Sequence, residues 1–169
     1  MTKGKKQFVA RAGEYLVAAE LSRQDITATT LAGNAPDIDV LAHVGGKPVA
    51  LQVKTSTTFK GWRIDADDFL NIEQNGDRQT VRGKKEITRN LIYVFVYLGM
   101  SLRDDELYFI PAGKLQDIIH DSYKNYMESR DGVRQRNPSS RHYLVGQGDT
   151  SISDYFGKWE VINEVAGLE

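Results

Sequence analysis

The sequence predicts an α/β fold in which four or five strands are combined with flanking helices. Three observations support this prediction. A proline-free segment rich in alanine, leucine and glutamate runs from Phe8 to Arg23. Two short apolar segments then flank Gly45-Gly46, and a continuous apolar run extends from Leu91 to Leu98. The chain therefore passes from a helical pattern to strand patterns, as expected of a mixed fold.

The elements follow one another in a simple order. The apolar residues of Phe8 to Arg23 cover most of the helical circumference, so we expect a buried first helix. A late helix near Lys114 to Arg130 is indicated by apolar residues at helical spacing. Between these helices, five strands are predicted from β-branched or apolar segments: Ile26 to Gly33, "DIDVLAHV", "PVALQVKTS", Leu91 to Leu98, and Glu106 to Ala112.

Length and composition fit one domain. The chain has 169 residues, of which 40% are hydrophobic, and we expect a single domain over residues 1-169 with residues 113-169 as a helical and aromatic elaboration. Without cysteine it has neither disulfides nor thiolate metal sites. The absence of a long apolar run and of a signal-like start leads us to expect a cytoplasmic protein without membrane contact.

The glycine pair predicts the register of a β-hairpin. A two-residue Gly-Gly loop fits a type I′ turn, which places Val44 opposite Lys47. Pro48 then opposes His43 at a non-hydrogen-bonded pair, where its missing N–H costs no bond. Because side chains alternate along a strand, the same counting puts four polar side chains on one face: Asp37, Asp39, Gln52 and Lys54.

These four side chains have the chemistry of a metal site. Carboxylate and amide oxygens are hard ligands of the kind that Mg²⁺ prefers, and Mg²⁺ also binds phosphate oxygens. An ammonium group beside them can hold an attacking water or stabilise charge on a phosphate. Glu14 could add a carboxylate, since it lies in a helical stripe of small apolar residues. A structural ion pair between strands is the simpler alternative.

Three segments together resemble the PD-(D/E)XK nuclease superfamily: "GEYLVAAEL", "PDIDVLA" and "LQVKTS", within Gly13 to Ser56. The resemblance implies a restriction-endonuclease-like, three-layer α/β core, with a central mixed sheet of four to five strands flanked by helices in the order αβββαβ. It also implies a Mg²⁺-dependent endonuclease acting on DNA, in which Mn²⁺ can substitute.

The resemblance assigns roles residue by residue. Glu14 resembles the family's helix glutamate and Lys54 its catalytic lysine. Asp39 is our first choice for the metal-binding aspartate, whereas Asp37 is either a second ligand or part of the Asn-Ala-Pro-Asp turn. Gln52 stands where the family more often has an acid, and its amide offers an oxygen but no charge. An active enzyme and an inactive module that binds nucleic acid or protein therefore both remain open.

Two segments rich in arginine and lysine predict contact with DNA. The total charge is only −1, so a nucleic-acid surface must come from local clusters. Solvated loops are the alternative for these two segments, Asp77 to Asn90 and Ser129 to His142. The candidate contacts are Lys60, Arg63, Arg82, Lys84, Lys85, Arg89, Arg134 and Arg136.

The remaining expectations concern cofactors and assembly. No phosphate-binding loop or dinucleotide motif occurs, so we expect no organic cofactor. The three histidines have no metal-ligand spacing and are expected at the surface or in the core. Trp62 belongs either to the core or to a stacking contact with nucleic acid. A homodimer is compatible with the chain, because cutting two strands commonly uses two active sites.

Overall fold

The computed structural model describes residues 3–31, 38–58, 61–88, 90–146 and 150–168. Three helices of seven residues or more occur in these ranges: α1 (Lys3–Arg23), α2 (Ala112–Glu128) and α3 (Glu160–Ala166). The strands are β1 (Thr27–Thr30), β2 (Val40–Val44), β3 (Lys47–Ser56), β4 (Trp62–Asp65), β5 (Leu70–Asn75), β6 (Arg78–Lys84), β7 (Leu91–Tyr97), β8 (Glu106–Pro111) and β9 (His142–Val145).

A five-stranded mixed sheet with the order β1-β2-β3-β7-β8 forms the centre of the protein. Its neighbouring strands are antiparallel except for β3 and β7, which are parallel. Strand β7 is almost entirely buried because both of its faces are covered. With helices packed on the sheet, the predicted α/β class with a central mixed sheet is confirmed.

Two hydrophobic clusters cover the two faces of this sheet. On one face, α1 and α3 pack through Val17, Leu21 and Ile162 against alternate residues of the central strands. On the other face, α2 packs through Leu115 and Ile119, together with β4 and β5. The protein therefore has three layers, and no helix in the described ranges is long and apolar enough to cross a membrane.

The connection between the parallel strands β3 and β7 is made of strands. It contains β4, a 3-10 turn at Ala66–Asp68, and the hairpin β5–β6. In the order αβββαβ a helix occupies this connection, whereas here α2 follows β8 and packs on the same face of the sheet. Strand β4 pairs with β9 near the end of the chain, outside the central sheet.

Two expectations about individual elements were wrong. Most of the segment Asp77 to Asn90, expected to be a loop, is the strand β6, which a turn at Gly76 joins to β5. The first helix is not buried throughout: Phe8 is 78% exposed, and the first half of α1 lies largely in solvent. Only its small or aliphatic residues from Gly13 onward reach the sheet, with Gly13, Val17 and Leu21 buried.

The predicted hairpin register is confirmed. Val44 pairs with Lys47, and His43 pairs with Pro48. Gly45 and Gly46 have φ values of +54° and +81°, which L side chains adopt only with strain. The loop length thus fixes which residues of β2 and β3 lie side by side.

Candidate functional site

Asp39 directly precedes β2 and is held beside the middle of β3. Its backbone N–H donates to the Leu51 carbonyl over 2.9 Å. One of its carboxylate oxygens, Oδ2, accepts a hydrogen bond from the Val53 backbone N–H over 2.7 Å. Asp39 therefore contacts the residues on both sides of Gln52, as the predicted register requires.

Helix α1 approaches β3 closely at Gly13. A Cβ atom at this position would lie 2.0 Å from Thr55 Oγ1, which no real contact allows. The close approach brings the next residue, Glu14, within electrostatic range of Asp39. The sequence folds this way because glycine leaves room for the Thr55 side chain.

The Glu14 carboxyl is destabilised in its charged form. Partial burial raises its pKa above the ordinary value, and the negative charge of Asp39 raises it further. Arg11 opposes this shift, since its Nη1 lies 3.8 Å from Glu14 Oε2. Two carboxylates are thus brought together with only a partial compensating charge.

Gln52 and Lys54 line a cavity of about 230 Å³. They share the strand face of Ala50, which belongs to the cluster beneath α2, whereas Val53 points to the α1 side. Glu14 consequently approaches from the α1 side and Lys54 opens on the other side. Asp39 links the two, because it affects Glu14 electrostatically and is hydrogen bonded between Gln52 and Lys54.

The same cavity contains three ionisable residues that sequence reasoning missed: Asp65, Asp68 and His142. Asp65 ends β4 and pairs with His142 of β9, and its Oδ2 lies 3.8 Å from His142 Nδ1. The sequence feature that could have indicated Asp65 and Asp68 is the acidic run "DADD", directly after Arg63 and Ile64. The pairing of β4 with β9 joins distant segments, so the position of His142 could not be read from spacing.

The described residues provide two carboxylates of the predicted metal set, Glu14 and Asp39. In the described ranges, no group of three or more histidine, cysteine, aspartate or glutamate side chains is arranged to hold a metal ion. Gln52 does not count toward such a group because it is an amide. Three predicted residues lie outside the described residues: Asp37, Lys60 and Arg89.

Several predicted DNA contacts face carboxylates. Arg82 Nε lies 2.5 Å from Glu73 Oε2. Lys84 Nζ lies 2.7 Å from Asp117 Oδ1. Lys85 Nζ donates to the Asp67 carbonyl over 2.5 Å and lies 3.5 Å from the Asp67 carboxylate. The positive charge of the segment Asp77 to Asn90 is therefore partly compensated by carboxylates of the same protein. The sequence could not predict these ion pairs, because the partners lie elsewhere in the chain.

The other predicted contacts fall in two places. Arg63 lines the cavity that contains Lys54. Arg134 and Arg136 line a second cavity beyond the end of α2. Trp62 is a core residue, 4% exposed, whose Nε1 donates to the Val96 carbonyl over 3.0 Å. The core alternative for this tryptophan is thus confirmed.

Comparison with known proteins shows a similar fold in a nuclease. No protein-family model and no curated protein matches this sequence. Among solved structures, the chain is similar to a bacterial homing endonuclease, I-Ssp6803I, with a TM-score of 0.51 and 11% identity over 95% of each chain. At this identity the similarity concerns the fold, and it supports the predicted nuclease-like architecture.

Proposed function

We propose that this protein is a metal-dependent endonuclease of the PD-(D/E)XK type that hydrolyses phosphodiester bonds of DNA. The observation that carries the proposal is the hydrogen bond that holds the Asp39 carboxylate on β3, beside Gln52 and Lys54, with Glu14 of α1 near enough for the two carboxylates to interact. The endonuclease fold of the similar solved structure supports the same class of activity.

Asp39 would hold Mg²⁺, or Mn²⁺ in its place, with Glu14 reaching the ion from the α1 side and the Gln52 amide oxygen reaching it from the side of the Lys54 cavity. The donor set fits such an ion, because these are hard oxygen ligands and a cation would relieve the unfavourable charge on Glu14. Asp37 remains a predicted further ligand. When bound, the ion would polarise the phosphate and lower the pKa of a bound water.

Lys54 would act on the attacking water and on the phosphate. Its ammonium group can donate hydrogen bonds to both, which orients the water oxygen and stabilises negative charge as the P–O bond breaks. Hydrolysis adds the water across that bond, leaving a phosphate on one fragment and a hydroxyl on the other. Arg63 and His142 line the same cavity, where they could contact a neighbouring phosphate.

The proposed partner is DNA, and the proposed substrate is branched or foreign DNA. A homodimer would supply one site for each strand. The cytoplasm is the proposed location, consistent with a chain that has no cysteine.

The test compares wild-type protein with Lys54→Ala. Plasmid, single-stranded and four-way-junction DNA are incubated with each protein in Mg²⁺ or Mn²⁺, and cutting and binding are measured separately. We expect Lys54→Ala to lose at least about a hundredfold in cleavage rate while it still binds DNA, since one electrostatic contact to a transition state contributes on this scale. Lys114→Ala is the matched control, because this exposed lysine lies at the start of α2.

The results separate the two functions that the sequence left open. Cutting that is lost in Lys54→Ala and kept in Lys114→Ala supports the enzyme. Binding without cutting by the wild-type protein, on every substrate, identifies an inactive nucleic-acid-binding module. Absence of both binding and cutting would instead indicate a protein-binding role, for which the neutral Gln52 leaves room.

A further inference from the structure

A second cavity, of about 400 Å³, lies between the end of α2 and the loop that leads to β9. We call it the arginine cavity. Among the described residues no carboxylate lines it, and its main lining side chains are Tyr126, Arg130, Arg134, Arg136, Asn137 and Ser140. The polar side chains of this lining therefore carry positive charge or hydrogen-bonding groups.

Two of its arginines are held in place by neutral groups. The Arg130 guanidinium carbon lies 4.2 Å from the centre of the Tyr126 ring, and that of Arg134 lies 5.4 Å from it. Arg134 Nη1 also donates to the carbonyls of Ser140, over 3.1 Å, and of His142, over 2.9 Å. These contacts position the guanidinium groups without neutralising their charge.

The contrast with neighbouring cations is informative. Arg82, Lys84 and Arg141 each lie within 2.7 Å of a carboxylate oxygen. Within the described part of the chain, by contrast, the three arginines of the cavity form no ion pair with a carboxylate. Gathering like charges around one cavity is unfavourable unless an anion binds between them.

We propose that the arginine cavity binds a phosphate group of the DNA backbone at a distance from the cleavage centre. This inference rests on the proposed function. Planar guanidinium groups bind two phosphate oxygens at once, and Asn137 and Ser140 add polar groups to the lining. The chemical class of the ligand is thus a phosphodiester group rather than a base.

One residue, His142, links the arginine cavity to the cavity that contains Lys54. Arg134 holds the backbone carbonyl of His142, and the His142 side chain lines the Lys54 cavity. A backbone phosphate held by the arginines would therefore fix where the DNA strand passes Lys54. Arg130 and Arg136 are binding residues in this arrangement, and Arg134 is also a positioning residue.

The test measures binding without cleavage. A labelled DNA duplex is titrated in EDTA at a series of salt concentrations, with binding followed by fluorescence anisotropy. We expect Arg136→Ala and Arg130→Ala each to reduce the slope of log affinity against log salt by about 1 and to weaken binding several-fold at low salt. Arg136→Lys should keep the slope, because lysine retains the charge.

Arg23→Ala is the matched control. This arginine ends α1, and its Nη1 lies 3.2 Å from Glu20 Oε1, so the same charge is removed at a site that we do not assign to DNA. Its slope should equal that of the wild-type protein. Circular dichroism spectra confirm that each variant is folded before its binding is measured.

The outcomes distinguish this inference from the proposed function. If Arg136→Ala reduces the slope and the wild-type protein cuts no DNA, the phosphate site in the arginine cavity is supported and the endonuclease is overturned. An unchanged slope in both arginine variants overturns the phosphate site, even if the wild-type protein cuts DNA. If the wild-type protein binds no duplex, the phosphate site is overturned, whereas the endonuclease fails only if single-stranded and four-way-junction DNA are also neither bound nor cut.

Discussion

The charged form of the Glu14 carboxyl group is destabilised by its partly buried position on α1, near Asp39. Its pKa is raised by burial and by the charge of Asp39, so the folded protein binds its proton more tightly than the unfolded chain does. A raised pKa of this kind contributes stability at low pH, and that contribution is lost as the pH rises through the folded-state pKa. The proposed metal ion would reverse the loss.

Glu14→Gln tests this account through thermal unfolding. The amide is neutral at every pH, so without divalent ions we expect the variant to unfold at a higher temperature than the wild-type protein at pH 7. Below about pH 4 the two proteins should unfold at the same temperature, because the wild-type glutamate is then protonated. Adding Mg²⁺ at pH 7 should raise the unfolding temperature of the wild-type protein more than that of the variant.

Two results would contradict this expectation. A variant less stable than the wild-type protein at pH 7 would mean that Glu14 is stabilised, for example by Arg11. An equal Mg²⁺ effect on both proteins would remove Glu14 from the proposed ligands. Glu20→Gln is the matched control, since this glutamate is on the same helix and paired with Arg23.

At the residue scale, the sequence predicted the neighbours along β2 and β3 better than the surroundings of the site. The glycine pair fixed the register, and Asp39 contacts the residues flanking Gln52 as expected. Asp65 and His142 could not be placed, because their contact depends on the pairing of β4 with β9. Gln52 itself is neutral, but the tertiary structure brings acidic side chains to the same cavity, and local sequence could not predict this.

At the element scale, the strands with strong apolar patterns were predictable and the amphipathic or short ones were not. Strand β7 is buried on both faces, and its continuous apolar sequence predicts this burial. Strand β6 has the sequence "RQTVRGK", and its one fully buried residue is the polar Gln79. Gln79 accepts a hydrogen bond from the Tyr123 hydroxyl over 2.7 Å, a tertiary contact that no local pattern encodes.

The packing of α1 on β3 should be sensitive to Gly13. We expect Gly13→Ala to destabilise the protein by about 1–3 kcal/mol, because its Cβ would overlap Thr55 and force α1 away from β3. Alanine favours a helix over glycine by only about 1 kcal/mol, which is too little to compensate. Urea denaturation measures the change in the free energy of unfolding.

Gly4→Ala is the control within the same helix. A Cβ at Gly4 would meet no atom within 4 Å, so this substitution should leave stability unchanged or raise it. Thr55→Ala in the Gly13→Ala background removes the closest atom and should restore part of the lost stability. Equal stabilisation by Gly13→Ala and Gly4→Ala would show that α1 does not pack closely at Gly13.

At the scale of the whole molecule, α2 connects the central sheet to the β5–β6 hairpin. Gln116 of α2 is 6% exposed, and its Nε2 donates to the carbonyls of Phe69 and Lys85, each over 2.8 Å. The hydrophobic cluster beneath α2 contains residues of β3, β4, β5, β7 and β8. We therefore expect the layers to unfold together, as the prediction of a single domain requires.

The two tryptophans report on different layers. Trp62 lies in the cluster beneath α2, whereas Trp159 packs against Phe109 on the α1 side, with 4.2 Å between ring centres. In Trp62→Phe and Trp159→Phe, each with one tryptophan left, we expect the fluorescence and circular dichroism curves in urea to coincide. Separate midpoints within one variant would show two unfolding units.

The parallel pairing of β3 with β7 has a consequence for synthesis on the ribosome. The two strands are neighbours in the sheet, yet β4, β5 and β6 lie between them along the chain. Until β7 emerges, the second strand of the nascent β2–β3 hairpin is paired with β2 on one edge only, and its other edge remains open. Such an edge invites pairing between chains, so we expect slow translation between codons 57 and 90 to increase aggregation of the newly made protein.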